Sequence, residues 1–209
     1  MKKKAIVAVV ALVLVLCCAM GGTLAWLVDS TTEVKNTFTY GDINISLWEH
    51  KLNEDGLTLS NDIFTGEEQT GFKMIPGNKI EKDPTVTVKA NSEACWLFVK
   101  VEKSSNFDTF MTCSVNTAEN EWKELSSAAS GNYKVYYREV AATTDDTDFA
   151  VLANNSVSVK ETVTKDNLNA LDANGANNYP TLTFTAYAVQ RDTNITTAAQ
   201  AWDIAMRNN

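Results

Sequence analysis

The chain has 209 residues, with 26 acidic and 18 basic side chains, a net charge of −8 and 44% hydrophobic residues. This composition excludes an intrinsically disordered chain, because so much apolar side chain is available for burial. The negative charge excludes a general nucleic-acid binder, since an acidic surface repels a phosphate backbone. The length fits one large domain better than two small ones.

The N-terminus has the pattern of an export leader. Three lysines precede an uncharged run from residue 5 to residue 28, which is typical of a secretory signal peptide. Thr23 and Ala25 supply the small side chains that a signal peptidase requires, so we expect cleavage just before Trp26. Loss of the three lysines lowers the net charge from −8 to −11.

Cleavage there divides the chain into a signal peptide, residues 1–25, and one mature domain, residues 26–209. An uncleaved anchor is the alternative, because the uncharged run is long enough to cross a bilayer at about 1.5 Å per helical residue. In the cleaved form the chain contacts a membrane only through the leader, before processing. Under either alternative the domain lies outside the cytoplasm.

The mature chain has a strong β-strand pattern. Alternation of apolar and polar residues, rich in threonine and valine, predicts strands at 38–40, 43–47, 84–89, 95–101, 133–140, 157–163 and 181–189. Segment 95–101 is apolar on both faces, which predicts a central strand. One helical turn is expected at 106–111 and a docked helix at 197–206. We therefore expect an all-β fold, an antiparallel β-sandwich of jelly-roll type with a short C-terminal helix.

Two cysteines, Cys95 and Cys113, remain after cleavage. Export permits a disulfide between them. They would face each other if 96–101 and 110–115 were the strands of one hairpin. Two buried thiols on separate strands are the alternative, because cysteine is often simply a core residue.

Catalytic motifs are almost absent. His50 is the single histidine, which excludes an HExxH zinc site and any multi-histidine metal centre within one chain. We interpret it as a strand-end or loop residue beside Trp48. Acidic clusters at 145–148 and 166–174 offer oxygen atoms to calcium but do not match an EF-hand, so solvated loops are expected. We expect no catalytic residue, no cofactor and no metal.

Two other functions stay open as alternatives. One is a secreted hydrolase, either a metal-dependent peptidase or a carbohydrate-acting enzyme whose acidic residues cannot be identified from their spacing. The other is a monomeric surface adhesin, with exposed Trp48 or Trp122 contacting carbohydrate, although aromatic residues in such folds are usually core.

The new N-terminus is apolar, because Trp26, Leu27 and Val28 precede a polar stretch. Such a segment either packs back on its own domain or adds as a strand to the open sheet edge of a neighbouring molecule. Packing within one molecule is the simpler interpretation of the residues alone.

Three stretches together resemble TasA/camelysin-type proteins of Gram-positive bacteria. They are the leader and first strand, 22–27 with 36–41; a Pro-Gly turn at 74–80; and a closing strand and helix, 186–190 with 198–202. The resemblance implies a jelly roll and export through a SipW-like signal peptidase. It also implies self-association into biofilm-matrix fibres, with Trp26, Leu27 and Val28 as donor strand.

The resemblance does not extend to the metallopeptidase activity described for camelysins, because this chain has no recognisable zinc motif. We therefore expect a secreted structural protein, not an enzyme, at the cell surface or in the extracellular matrix of a Gram-positive bacterium. Its expected partners are further copies of itself and, during export, the signal peptidase.

Overall fold

A computed structural model describes residues 42–64, 68–173 and 178–207, all within the unit Gly41–Asn209. The expected cleavage site at Thr23 and Ala25, the donor segment 26–28 and the strand expected at 38–40 lie outside the described residues. Among the helices that the structure describes, none is long and apolar enough to cross a membrane.

Eleven strands and three α-helices occur in the described residues. The strands are β1 (Ile45–Leu52), β2 (Leu59–Phe64), β3 (Lys79–Glu81), β4 (Thr85–Val88), β5 (Cys95–Lys103), β6 (Met111–Thr112), β7 (Lys123–Glu124), β8 (Tyr133–Val140), β9 (Thr147–Ala150), β10 (Ser156–Val159) and β11 (Leu182–Gln190). The helices are α1 (Phe107–Phe110), α2 (Lys165–Ala173) and α3 (Ala198–Arg207). All strand pairs are antiparallel, which confirms the predicted all-β class.

The strands form three sheets, with the orders β2-β1-β4-β9, β3-β10-β6 and β11-β5-β8-β7. The third sheet is centred on β5, which pairs with β11 on one side and β8 on the other. This confirms that 95–101 is a central strand. β5 is apolar on both faces because each face packs against a separate apolar core.

The first and third sheets share one apolar core. Val86 and Val88 of β4 meet Leu97 and Val99 of β5 there, and none of the four exposes any surface. Burial of each such side chain contributes about 1.5–3 kcal/mol to stability. The alternation of valine and threonine in β4 therefore places the valines toward this core.

The opposite face of the third sheet is covered by α3. Trp96 and Phe98 of β5 pack against Ala201, Trp202 and Ala205, which are spaced by three and four residues. That spacing puts the helix side chains on one face. The docked C-terminal helix is confirmed.

A further core lies under the second sheet, where Phe107 and Phe110 of α1 are buried beside Val157 and Val159 of β10. The helical turn expected near 106–111 is thus confirmed. The strand expected at 157–163 ends at Val159, because the Val163 N–H turns back to donate to the Lys160 carbonyl at 3.2 Å.

Residues 166–173 are helical, so the prediction of a solvated loop there is wrong. Thr164 and Asn167 cap the first turn of α2 reciprocally: the Thr164 N–H donates to Asn167 Oδ1 at 2.9 Å, and the Asn167 N–H to Thr164 Oγ1 at 3.2 Å. Leu168 and Leu171 then pack toward the core that lies under the second sheet. The acidic composition of the segment concealed this helix.

Segments 96–101 and 110–115 do not form a hairpin, because β5 pairs with β8 and β11 while β6 pairs with β10. Helix α1 carries the chain from one sheet to the other. Cys95 and Cys113 are accordingly free thiols, the first buried and the second half-buried. Burial raises the pKa of Cys95 to about 11 and raises that of Cys113.

Candidate functional site

Strand β11 is the longest edge strand in the described part of the fold, with nine residues. It pairs with β5 along its whole length, and no other described strand is hydrogen-bonded to it. In an edge strand, alternate backbone N–H and C=O groups point away from the neighbouring strand. β11 therefore presents a row of outward-facing backbone donors and acceptors.

The sequence of β11 lacks the features that usually protect an edge. It contains no charged residue, proline or glycine. Natural edge strands are commonly protected by lysine, proline, bulges or short length. The other described edges follow that rule: β2 carries Asp62, β9 carries Asp148, β3 and β7 are short and charged, and β6 has two residues.

An apolar groove of about 430 Å³ lies beside β11. Its inner wall is formed by side chains that also pack on the core of the first and third sheets: Ile43, Ile45, Ala186 and Ala188. Its outer wall is formed by residues associated with α3: Tyr187, Val189, Ile204 and Ala205.

The groove exists because β1 and β11 approach each other without pairing. Residues Ile45–Trp48 of β1 pair with β4, whereas the pairing of β1 with β2 begins only at Glu49. In the described fold, the first half of β1 therefore has a strand on one side only. Small side chains at Ala186 and Ala188 leave the space between the two strands unfilled. A strand laid in the groove would extend the third sheet.

A cluster of polar side chains lies at the other end of β1. His50 Nδ1 is 2.6 Å from Asp83 Oδ2, and Asp83 Oδ1 accepts the His50 N–H at 3.0 Å. Next to this pair, Lys82 Nζ is 2.5 Å from Glu49 Oε2, and both side chains are almost buried. Gln69 Nε2 donates to Glu49 Oε1 at 3.0 Å. His50 thus lies within a strand, and not in the loop or at the strand end that we predicted.

The side chains of this cluster connect β1 to the chain segments on either side of β3. Both oxygens of Asp83 bond to His50, and both oxygens of Glu49 are used by Lys82 and Gln69. In the ranges that the structure describes, no three histidine, cysteine, aspartate or glutamate side chains are grouped so as to hold a metal ion. The cluster anchors β1 to the segment that precedes β4.

The two tryptophans considered for carbohydrate contact have structural roles. Trp122 is 1% exposed and donates from Nε1 to the Ala150 carbonyl at 2.9 Å. Trp48 is half-buried and donates to Thr87 Oγ1 at 2.8 Å. The expectation that Trp122 is exposed is wrong, because it fills the core of the first and third sheets.

The acidic cluster at 145–148 is also engaged internally. Asp146 accepts the Ala90 N–H at 2.8 Å and lies 3.0 Å from Lys89 Nζ, and these hydrogen bonds lower its pKa. Asp148 lies within β9 and accepts the Thr87 hydroxyl at 2.5 Å. The loop interpretation therefore fits Asp145 and Asp146 but not Asp148.

The sequence predicted β11 as a strand but did not identify it as an edge, so the groove residues Ile43, Ile45, Ala186, Ala188 and Ile204 were missed. One available signal was the absence of charged residues from 181–189. Comparison of the chain with protein-family models, with characterised proteins and with solved structures gave no significant match.

Proposed function

We propose that the protein is a secreted structural component of the cell surface or extracellular matrix that self-associates by strand addition at β11. The donor is the N-terminal segment of the next copy, beginning with Trp26, Leu27 and Val28. The observation that carries the proposal is the long, uncharged edge of β11 beside an apolar groove. An edge of this kind is a template for another strand.

The dimensions of β11 suit such a donor. Nine residues at about 3.4 Å each span roughly 30 Å, so a donor of similar length would pair along the whole edge. Each backbone hydrogen bond contributes a net of about 0.5–1.5 kcal/mol. Burial of Trp26, Leu27 or Val28 adds about 1.5–3 kcal/mol per side chain. Together these contributions favour association without any cofactor.

The resemblance to TasA/camelysin-type proteins supports this proposal, because its third stretch coincides with β11 and α3. Under the proposal the fold is a jelly-roll β-sandwich, and the shared core of the first and third sheets supports that description. Processing by a SipW-like signal peptidase would release Trp26 as the new N-terminus. The unprocessed chain would hold its donor segment in the membrane.

Electron microscopy of the mature chain tests the proposal. Protein that begins at Trp26 should form filaments, and protein that lacks residues 26–36 should stay monomeric. A lysine introduced on the acceptor edge by Thr185→Lys should block filaments, because a charge opposes strand pairing there. Asn61→Lys, on the exposed edge of β2, is the matched control and should leave filaments intact.

The result that would contradict the proposal is equally direct. A mature chain that remains monomeric at every salt concentration and pH tested is not a self-assembling strand donor. Filaments that survive Thr185→Lys but are lost with Asn61→Lys would place the assembly interface on β2 instead of β11.

A further inference from the structure

The outer face of the third sheet is divided into an apolar half and a polar half. Along β11, Tyr187 and Val189 pack with α3, whereas Thr183 is exposed. Along β5, Trp96 and Phe98 lie under the helix, and the corresponding positions further along are Lys100 and Glu102. The helix therefore covers only the half of the sheet that contains the end of β11.

Helix α3 does more than cover the sheet, because part of it faces the groove. Ala201 and Trp202 are buried on the sheet, while Ile204 is half-buried and lines the groove beside β11. An added strand would thus meet the helix on its outer side and Ile43 and Ile45 on its inner side. The groove has an inner wall, an outer wall and the edge of β11 as its base.

The N-terminal segment has an alternation that suits such a groove. Between residues 27 and 40, all three charged residues, Asp29, Glu33 and Lys35, occupy odd positions. Threonines fill the remaining odd positions after residue 29, and the apolar residues after Leu27 are all at even positions. In a strand, odd and even side chains point to opposite faces. Leu27 is therefore the exception, an apolar residue on the charged face.

The charges decide which face points inward. Burying a carboxylate or an ammonium group in the apolar core is costly, so the odd positions must face away from Ile43 and Ile45. Trp26 and Val28 then face the inner wall. Leu27 faces outward, where an apolar side chain is exposed unless something covers it. Helix α3 is the element of the described fold that lies on that side of the groove.

We propose that α3 is the outer wall of the acceptor groove and binds Leu27 of the second copy through Ile204 and Ala205. This inference rests on the proposed function and adds a specificity device to it. The helix selects an incoming strand whose first outward-facing residue is apolar and whose later outward-facing residues are polar. The strand would be recognised on both faces.

The pairing of apolar with apolar and polar with polar residues on the outer face also gives the direction of the donor strand. Leu27 belongs beside the apolar half, opposite Tyr187, which places Asp29 opposite Thr185 and Thr31 opposite Thr183. The donor therefore runs from the Val189 end of β11 toward the Leu182 end, antiparallel to β11. Antiparallel addition is consistent with the other pairs in this sheet.

Disulfide cross-linking between two copies of the mature chain tests the wall directly. One copy carries Leu27→Cys or Val28→Cys, and the other, with a different tag, carries Ile204→Cys, Ala186→Cys or Ala188→Cys. Both copies carry Cys113→Ser, and Cys95 is buried. We expect position 27 to link to 204 and position 28 to link to 186 or 188. Position 28 should not link to 204, because it faces the other way.

The outcomes separate the two proposals. If position 28 links to β11 while position 27 does not link to 204, strand addition stands and the role of α3 is overturned. If position 28 links to 204 instead of position 27, the assigned facing is overturned. If no link forms between copies, or links form only within one copy, the proposed function itself fails.

A charge placed on the helix provides an independent readout. Ile204→Asp should slow filament elongation by at least tenfold, because the docking of Leu27 would remove water from the new carboxylate. Ala199→Asp adds the same charge on an exposed position of α3 and should not slow elongation. Equal elongation rates for both variants would overturn the inference, provided that thermal melting shows both to be folded.

Discussion

Trp202 of α3 stands edge-on to Tyr187 of β11, with ring centroids 5.3 Å apart and ring planes at 88°. The same indole lies 5.4 Å from the ring of Phe98 on β5. Edge-to-face pairs of this kind add about 0.5–1.5 kcal/mol beyond the area that they bury. Trp202 thus fixes the position of the helix against the edge strand β11.

Replacing Trp202 by alanine should release α3 from the sheet. We expect Trp202→Ala to lower the free energy of unfolding by about 3–5 kcal/mol, because a buried tryptophan is lost and a cavity remains. Urea denaturation followed by circular dichroism measures this change. Met206→Ala, at a 39% exposed position of the same helix, should change stability by less than about 0.5 kcal/mol. Equal effects of the two variants would contradict the assigned packing.

The His50–Asp83 pair should contribute to stability rather than to catalysis. Asp83→Ala removes the acceptor of both the His50 N–H and the His50 ring, so we expect a loss of about 1–3 kcal/mol in a urea titration. Asp62→Ala, at an exposed position of β2, is the control and should be nearly neutral. A neutral Asp83→Ala would show that the pair does not anchor β1.

Asp55 should titrate well below the usual range of a carboxyl group. Hydrogen bonds from the Thr58 hydroxyl, the Thr58 N–H and the Leu57 N–H lower its pKa from 3.8 to about 2. Because the folded pKa is the lower one, its stabilising effect on this turn is complete above pH 3.8 and is lost as the pH falls through about 2.

The Thr58 amide shift in an NMR pH titration should therefore have a midpoint near 2. Thr58→Val removes the hydroxyl donor and should move the midpoint of Asp55 upward, toward 3.8. A midpoint near 3.8 in the unaltered chain would show that the carboxylate does not form these bonds in solution.

Thiol counting tests both the free cysteines and the cleavage of the leader. If the proposed cleavage occurs, the mature chain unfolded without reductant should show two thiols, because residues 1–25 contain the other two of the four cysteines. In the folded chain both should react slowly, since burial raises their pKa. No thiol would indicate a disulfide, and four would indicate a retained leader.

Local patterning predicted the strands that end up in the cores. The alternation in 84–89 and the two-sided apolar run in 95–101 follow directly from burial on one or both faces, so β4 and β5 were identified correctly. Helix α3 was predicted for the same reason, since its apolar residues recur every three or four positions.

Pairing between distant segments was not predictable from those patterns. The two-residue strands β6 and β7 and the three-residue strand β3 have no pattern of their own and form because a neighbouring strand offers hydrogen bonds. The groove depends on which strands do not pair, here β1 and β11. Neither property can be inferred from a single segment, and the choice between a disulfide and two free thiols at Cys95 and Cys113 stayed open for the same reason.

Residue-resolved hydrogen exchange along β11 tests the central claim most directly. Before assembly, alternate amides of Leu182–Gln190 should exchange quickly, because those N–H groups point away from β5. After assembly of the mature chain, every amide of β11 should be protected, while the outward-facing amides of β2 should be unchanged. Protection that appears on β2 and leaves the alternate amides of β11 fast would contradict strand addition at this edge.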